Sequence, residues 1–232
     1  MATMKVGNGP GTRLQAGAAI LAAARAVDTR LVKERLAAFE HAHRAYAEAQ
    51  RKVDGAEGQL SAAQSRVGER DAVQDEAIET LARALVTDGQ PRLNPFGAFG
   101  APSPAALRRL PIAEETKAIH VLVAAVQRQK QVTKATLQAA QDLEKAVRAT
   151  EQALAPLDKL EAAVRDLRQT RDAIGQTWEN ALAVLKRGAR AAYDDGAPQL
   201  YTTLFDRRSR PAAKNGKPAP VPPSPQPAPT AS

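Results

Sequence analysis

VKERLAAFEHAHRAYAEAQRKVDGAEGQLSAAQSRVGERDAVQDEAIETLARA, residues 32–84, is the stretch that decides the fold. Val32, Phe39, Tyr46, Val53, Leu60, Val67, Gln74 and Leu81 stand seven residues apart, and three residues after each comes Arg35, Ala42, Ala49, Ala56, Ala63, Arg70, Ala77 or Ala84. A repeat of this period keeps one stripe of a helix turned toward a neighbour. Most of the offset positions are alanine, which adds so little beyond the backbone cylinder that a second helix can approach closely. The spacing predicts one long helix with a tight, antiparallel helix–helix seam.

Working outward, the helix is expected to run over residues 12–87. Residues 1–11 form a flexible leader: Gly7, Gly9 and Gly11 have neither a preceding strand nor the lysine that a phosphate-binding loop requires. At the other end Thr87, Asp88, Gly89 and Pro91 supply the glycine cap and trailing proline of a helix terminus. Gly55 and Gly58 interrupt the middle at a cost of about 1 kcal/mol each relative to alanine, which reads as a hinge, a close crossing or tolerated weakness. Residues 88–111 are a proline-broken connector in which Ser103 and Pro104 make a good N-cap and first-turn pair. Phe96 and Phe99 in this connector are expected to cap the open end of the helical pair, or else to touch a partner or a membrane.

The second segment opens at Pro111, with Glu114 and Glu115 complementing the helix dipole. Its seam runs Ile119, Leu122 and Val126, turns polar through Gln129, Thr133 and Thr136, and resumes at Ala140, Leu143, Val147, Thr150, Leu154 and Leu157. After Pro156 the phase slips by one residue, to Leu160, Val164, Leu167, Arg171, Ile174, Trp178 and Leu185. Proline removes one helical hydrogen bond and crowds the preceding turn, so helix two is expected over 112–155 and 157–193 with a kink between.

The fold class that follows is all-α: a long antiparallel coiled-coil hairpin or elongated helical bundle over residues 12–193. A connector centred near residue 100 sets residue i opposite about 200 − i. A compact four-helix bundle with corners at Gly55, Gly58 and Pro156 fits less well, because in that register the corners miss each other by on the order of 16 Å along the helix. The apolar stripe widens at both ends of helix one, through Ile20, Val27, Leu31 and Leu36, then Val73, Ile78 and Leu85. Such width predicts further helices there, expected from a second copy of the chain.

Residues 194–210 read as a short amphipathic basic segment. Leu200, Tyr201, Leu204 and Phe205 share a face and Arg207, Arg208 and Arg210 follow, a pattern suited to folding back, to a partner groove or to an anionic membrane. Eight of the 22 residues from Pro211 to Ser232 are proline, so this Pro-rich tail is expected to be disordered. About half of the formal charge of +8 lies beyond Phe205, where five Lys and Arg residues face Asp206 alone. Nucleic-acid binding is therefore an expectation only for the tail, weak and non-specific, and the helices are charge-balanced.

With no cysteine and 3% aromatic residues, the chain lacks thiol chemistry and the bulk for a thick globular core. Glu40 and His43 form the Glu-x-x-His half of a di-iron site, but His120 has Lys117 three residues before it and cannot complete the pattern. His41 and His43 flank Ala42 and are expected at the solvated rim. No catalytic, cofactor or metal residues are predicted, nor a small-molecule substrate, and the run Ala16–Ala26 is too short and alanine-rich for a signal or membrane span. The sequence thus reads as a cytoplasmic, non-enzymatic scaffold that self-associates through its helices and presents its tail to a protein partner. The alternative is a peripheral protein of membrane or particle surfaces.

Overall fold

Every regular element of residues 9–205, which the computed structural model describes, is helical: α1 (Pro10–Ala24), α2 (Lys33–Thr87), α3 (Pro104–Leu107), α4 (Ile112–Arg128), α5 (Lys134–Leu154), α6 (Leu157–Asp194) and α7 (Pro198–Phe205). Arg207, Arg208, Arg210 and the proline-rich segment lie outside the described residues, as do the first eight residues of the leader. The chain divides into two compact units, one of residues up to Glu40 and from Leu182 onward, the other His41–Ala181. The all-α class is as the heptads require.

The first correction concerns helix one, which is not continuous over 12–87. α1 ends at Ala24, and a 3-10 turn at Arg30–Val32 leads into α2. Asp28 holds the break: its carboxylate accepts the Arg30 backbone N–H at 3.1 Å and the Arg30 guanidinium at 2.6 Å. Aspartate and threonine side chains offer the backbone local partners that compete with helix, and Val27-Asp28-Thr29 is such a run. α2 then passes through Gly55 and Gly58 without interruption, and a Cβ at either would meet nothing within 4 Å. Neither glycine is a corner or a close crossing.

α2 closes as its sequence predicts. Gly89 takes φ 93°, the Gln90 N–H donates to the Leu85 carbonyl at 3.0 Å and the Gly89 N–H to Val86 at 3.0 Å. This is the Schellman arrangement, in which a left-handed residue lets two orphan carbonyls find donors. The same motif ends α6 at Gly196 (φ 93°), with the Ala197 N–H donating to the Ala192 carbonyl at 2.8 Å.

The second correction concerns helix two. Residues 112–155 are not one helix: α4 stops at Arg128, Gln129 is extended with ψ 128°, and α5 begins after Thr133, whose hydroxyl caps it by accepting the Thr136 N–H at 3.3 Å. The polar interval at 129–136 is therefore a reversal. Asp88 fastens it, accepting the Thr133 N–H at 3.0 Å and the Thr136 hydroxyl at 2.7 Å. α4 lies antiparallel to α5, with His120 Nε2 3.0 Å from Glu151 Oε1 and Gln127 Nε2 donating to Glu144 Oε2 at 3.3 Å.

These contacts build a three-helix core in the His41–Ala181 unit. Ile78, Leu81 and Leu85 of α2 meet Ile119, Leu122 and Val126 of α4 and Ala140, Leu143 and Val147 of α5, with Phe96, Phe99 and Leu107 of the connector completing the cluster. Beyond it, within this unit, α2 runs beside α6. Arg168 donates to Glu57 at 2.7 Å, Arg171 to Gln50 at 3.2 Å and Trp178 to His43 at 3.3 Å. Residue i of α2 thus lies opposite roughly 223 − i, not 200 − i, because the chain doubles back through α4 before its second long arm begins at Lys134.

Between α5 and α6 the helical ladder is interrupted at Ala155 and Pro156, while Ala155 keeps right-handed helical dihedrals (φ −51°, ψ −36°). In the other unit α1 packs against α7, whose Leu200, Tyr201, Leu204 and Phe205 are all buried. The Arg190 guanidinium stands 4.8 Å above the Tyr193 ring, and Tyr193 meets Tyr201 edge-on at 6.4 Å. At the C-terminal end of α2 the widened stripe is covered in part by the chain itself, since Ile78 and Leu85 join the α4 and α5 core, whereas Val73 there and Leu31 at the other end are exposed.

Candidate functional site

Of the expected seam residues, Val32, Phe39, Ala42, Tyr46, Ala49, Val53, Ala63, Val67 and Leu81 on α2 are buried, as are Leu143 and Val147 on α5 and Val164 and Trp178 on α6. Ala56, Leu60, Leu154, Leu157, Leu160 and Leu167 are only half-buried. The difference has a simple cause: these six lie in the stretch where α2 has one neighbour, and a two-helix pair covers each apolar stripe from one side. A shallow groove runs along this stretch, bordered by Glu57, Leu60, Gln64, Glu161, Val164 and Arg165.

Phe96 and Phe99, offered as partner or membrane contacts, are fully and nearly fully buried in the three-helix core. Leu200, Tyr201, Leu204 and Phe205 are buried with α1. None of the six is available to a partner, and the reason is common to both groups: each closes the end of a helical layer whose apolar residues would otherwise meet water.

Two polar inclusions were not foreseen. His43 is half-buried, and its Nδ1 accepts the indole N–H of Trp178, which is 1% exposed. That bond requires the neutral imidazole with its proton on Nε2, and burial holds the His43 pKa below the ordinary histidine value. Tyr46 lies one turn along, its ring 6.4 Å from the indole. The rim position expected for His41 fits, since it is exposed, whereas His43 does not fit.

The second inclusion sits at the start of α4. Gln74, at a seam position where its neighbours in the repeat are apolar, is completely buried, and the Glu115 carboxyl is 3% exposed. Both side-chain atoms of Gln74 and Oε1 of Glu115 are buried without a hydrogen-bond partner. Asp71, one turn before Gln74, and Asp75, the residue after it, share a face of α2 as an i, i+4 pair, both half-buried, and Arg108 reaches Glu79 at 2.8 Å. Burial first, and then the charges of Asp71 and Asp75, push Glu115 up to about 7. Burial likewise raises Asp75, against the pull of Arg108. The seam pattern flagged Gln74 directly. Glu115 stood out only as a first-turn acid, and nothing announced its burial, which depends on α4 folding back.

Among the described residues no group of three or more histidine or acidic side chains is arranged to hold a metal ion, and no helix is long and apolar enough to cross a membrane. The chain matches no protein-family model, no curated protein and no solved structure.

Proposed function

We propose that this chain is a non-enzymatic scaffold: an antiparallel coiled-coil hairpin, kinked at Pro156, that self-associates through its two-helix stretch and carries a proline-rich tail for a protein partner. The observation that carries the reading is that Leu60, Leu157, Leu160 and Leu167 stay half-buried in the two-helix stretch, where a groove between α2 and α6 is lined by Leu60 and Val164. A second copy suits that groove by charge. Glu161 and Arg165 sit one turn apart on its α6 border, so a two-fold axis near Val164 would oppose each glutamate to the other copy's arginine.

Sedimentation equilibrium tests the reading. A dimer is expected, weakened by Glu161→Arg and restored by the exchanged pair Glu161→Arg with Arg165→Glu. A mass that stays monomeric at every concentration removes self-association from the proposal. The surface-binding alternative has lost the apolar residues that motivated it, since Phe96, Phe99 and the α7 face are buried.

A further inference from the structure

The α4 helix is joined to the rest of its unit by an apolar core at one end and by an unsatisfied polar contact at the other. Buried polar atoms in folded proteins are almost always paired, and each orphan asks for a cause. Here three orphans, Gln74 Oε1, Gln74 Nε2 and Glu115 Oε1, lie together. Gln74 Nε2 can donate to Glu115 in either state, and that contact by itself favours the carboxylate, but only the protonated carboxyl also supplies an O–H for the Gln74 carbonyl oxygen and so satisfies both polar atoms of Gln74. An ionised carboxylate has no proton to give, and loses water besides.

We propose that Glu115 is a proton-operated latch: protonated, it closes on Gln74 and holds the start of α4 against α2; ionised, it is expelled and α4 lifts with the connector before it. The groups around it set the direction. From α2 come Asp71 and Asp75, with Glu79 one turn on, and from the segment before α4 comes Arg108, already engaged by Glu79. On α4 itself Glu114 and Lys117 point to solvent. The charged side chains that α5 sends to α4, Glu144 and Glu151, bind Gln127 and His120 farther along the helix. Around Glu115 the balance is negative, so a third carboxylate is repelled. Lifting α4 uncovers Ile78 and Leu81 of α2 and Leu143 of α5, the stripe on which a helix from another chain could then lie.

Amide hydrogen exchange on the full chain at pH 5.5 and pH 8, corrected for the intrinsic rate, reads the latch directly. Peptides spanning 97–128 should lose protection at the higher pH by about ten-fold, and by about 30-fold if the whole shift appears as opening between these two pH values, while α6 peptides change little. Glu115→Gln, which keeps the shape and carries no charge, should hold those peptides protected at both pH values. Asp75→Asn should shrink the fold-change, because it removes one of the facing charges. Equal protection of 97–128 at both pH values in the unaltered chain overturns the proposal, and so does an undiminished pH effect in folded Glu115→Gln. The outcome is independent of the oligomeric state, so this proposal and the scaffold reading can fail separately.

Discussion

Trp178 donates its indole N–H to a histidine, and that choice of acceptor makes the contact sensitive to acid. Protonating His43 puts a hydrogen on the nitrogen that must accept, so the bond and the cation exclude each other. Because the folded state holds the His43 pKa below its unfolded value, it binds fewer protons than the unfolded chain in the interval between the two. The stability it contributes is complete above the unfolded value of about 6.5 and is lost as pH falls through the folded value. Trp178 is the single tryptophan of the chain, which makes the event visible by fluorescence. Its emission is expected to change along a titration with a midpoint below 6.5, and His43→Asn is expected to abolish that transition while leaving the helical content unchanged. A titration that survives the substitution would assign the signal elsewhere.

The elements show where sequence pattern is sufficient and where it is not. α2 was legible from Lys33 to its Schellman end because one repeat runs its whole length and its stop signals are local. The reversal at 129–133 was hidden, since Gln129 to Thr133 contains neither glycine nor proline. What makes it a turn is Asp88, a cap contributed from 45 residues away. The widened stripe at Ile78 and Leu85 announced apolar surface that needs further cover, and α4 and α5 supply it. It could not say that the cover was α4 folding back, because width reports only how much apolar surface needs cover. The glycines carry a prediction of their own: since space is open beside Gly55 and Gly58 and both are helical, Gly55→Ala and Gly58→Ala should each stabilise the protein by about 0.5 to 1 kcal/mol, measured by urea denaturation. Loss of stability on either substitution would mean that the residue serves a contact made outside this chain.

For the molecule as a whole, the two polar inclusions give opposite answers to the same change of pH. Glu115 is raised in the fold, so its contribution is greatest below the unfolded value of 4.5 and declines as pH climbs toward 7. His43 is lowered, so its contribution grows as pH climbs toward 6.5. The groups do not feel each other directly: Gln74, which meets Glu115, is about 46 Å along α2 from His43, several screening lengths at ordinary salt. Asp88 acts only at lower pH, since hydrogen bonds from Thr133 and Thr136 hold its carboxyl below the usual range. Between pH 5.5 and 7 the slope is thus set by Glu115 against His43. At about 1.4 kcal/mol per pH unit for one fully displaced proton, the unaltered chain should lose on the order of 1 to 2 kcal/mol across this window. Glu115→Gln leaves His43 as the group that decides the sign, and its stability should be level or rising over the same interval. Urea midpoints at four pH values suffice to see the reversal, because the predicted lines diverge in direction and not merely in height. Parallel lines would show that Glu115 is already ionised in the folded protein at pH 5.5, with water reaching a carboxyl that the packing of α4 on α2 otherwise excludes.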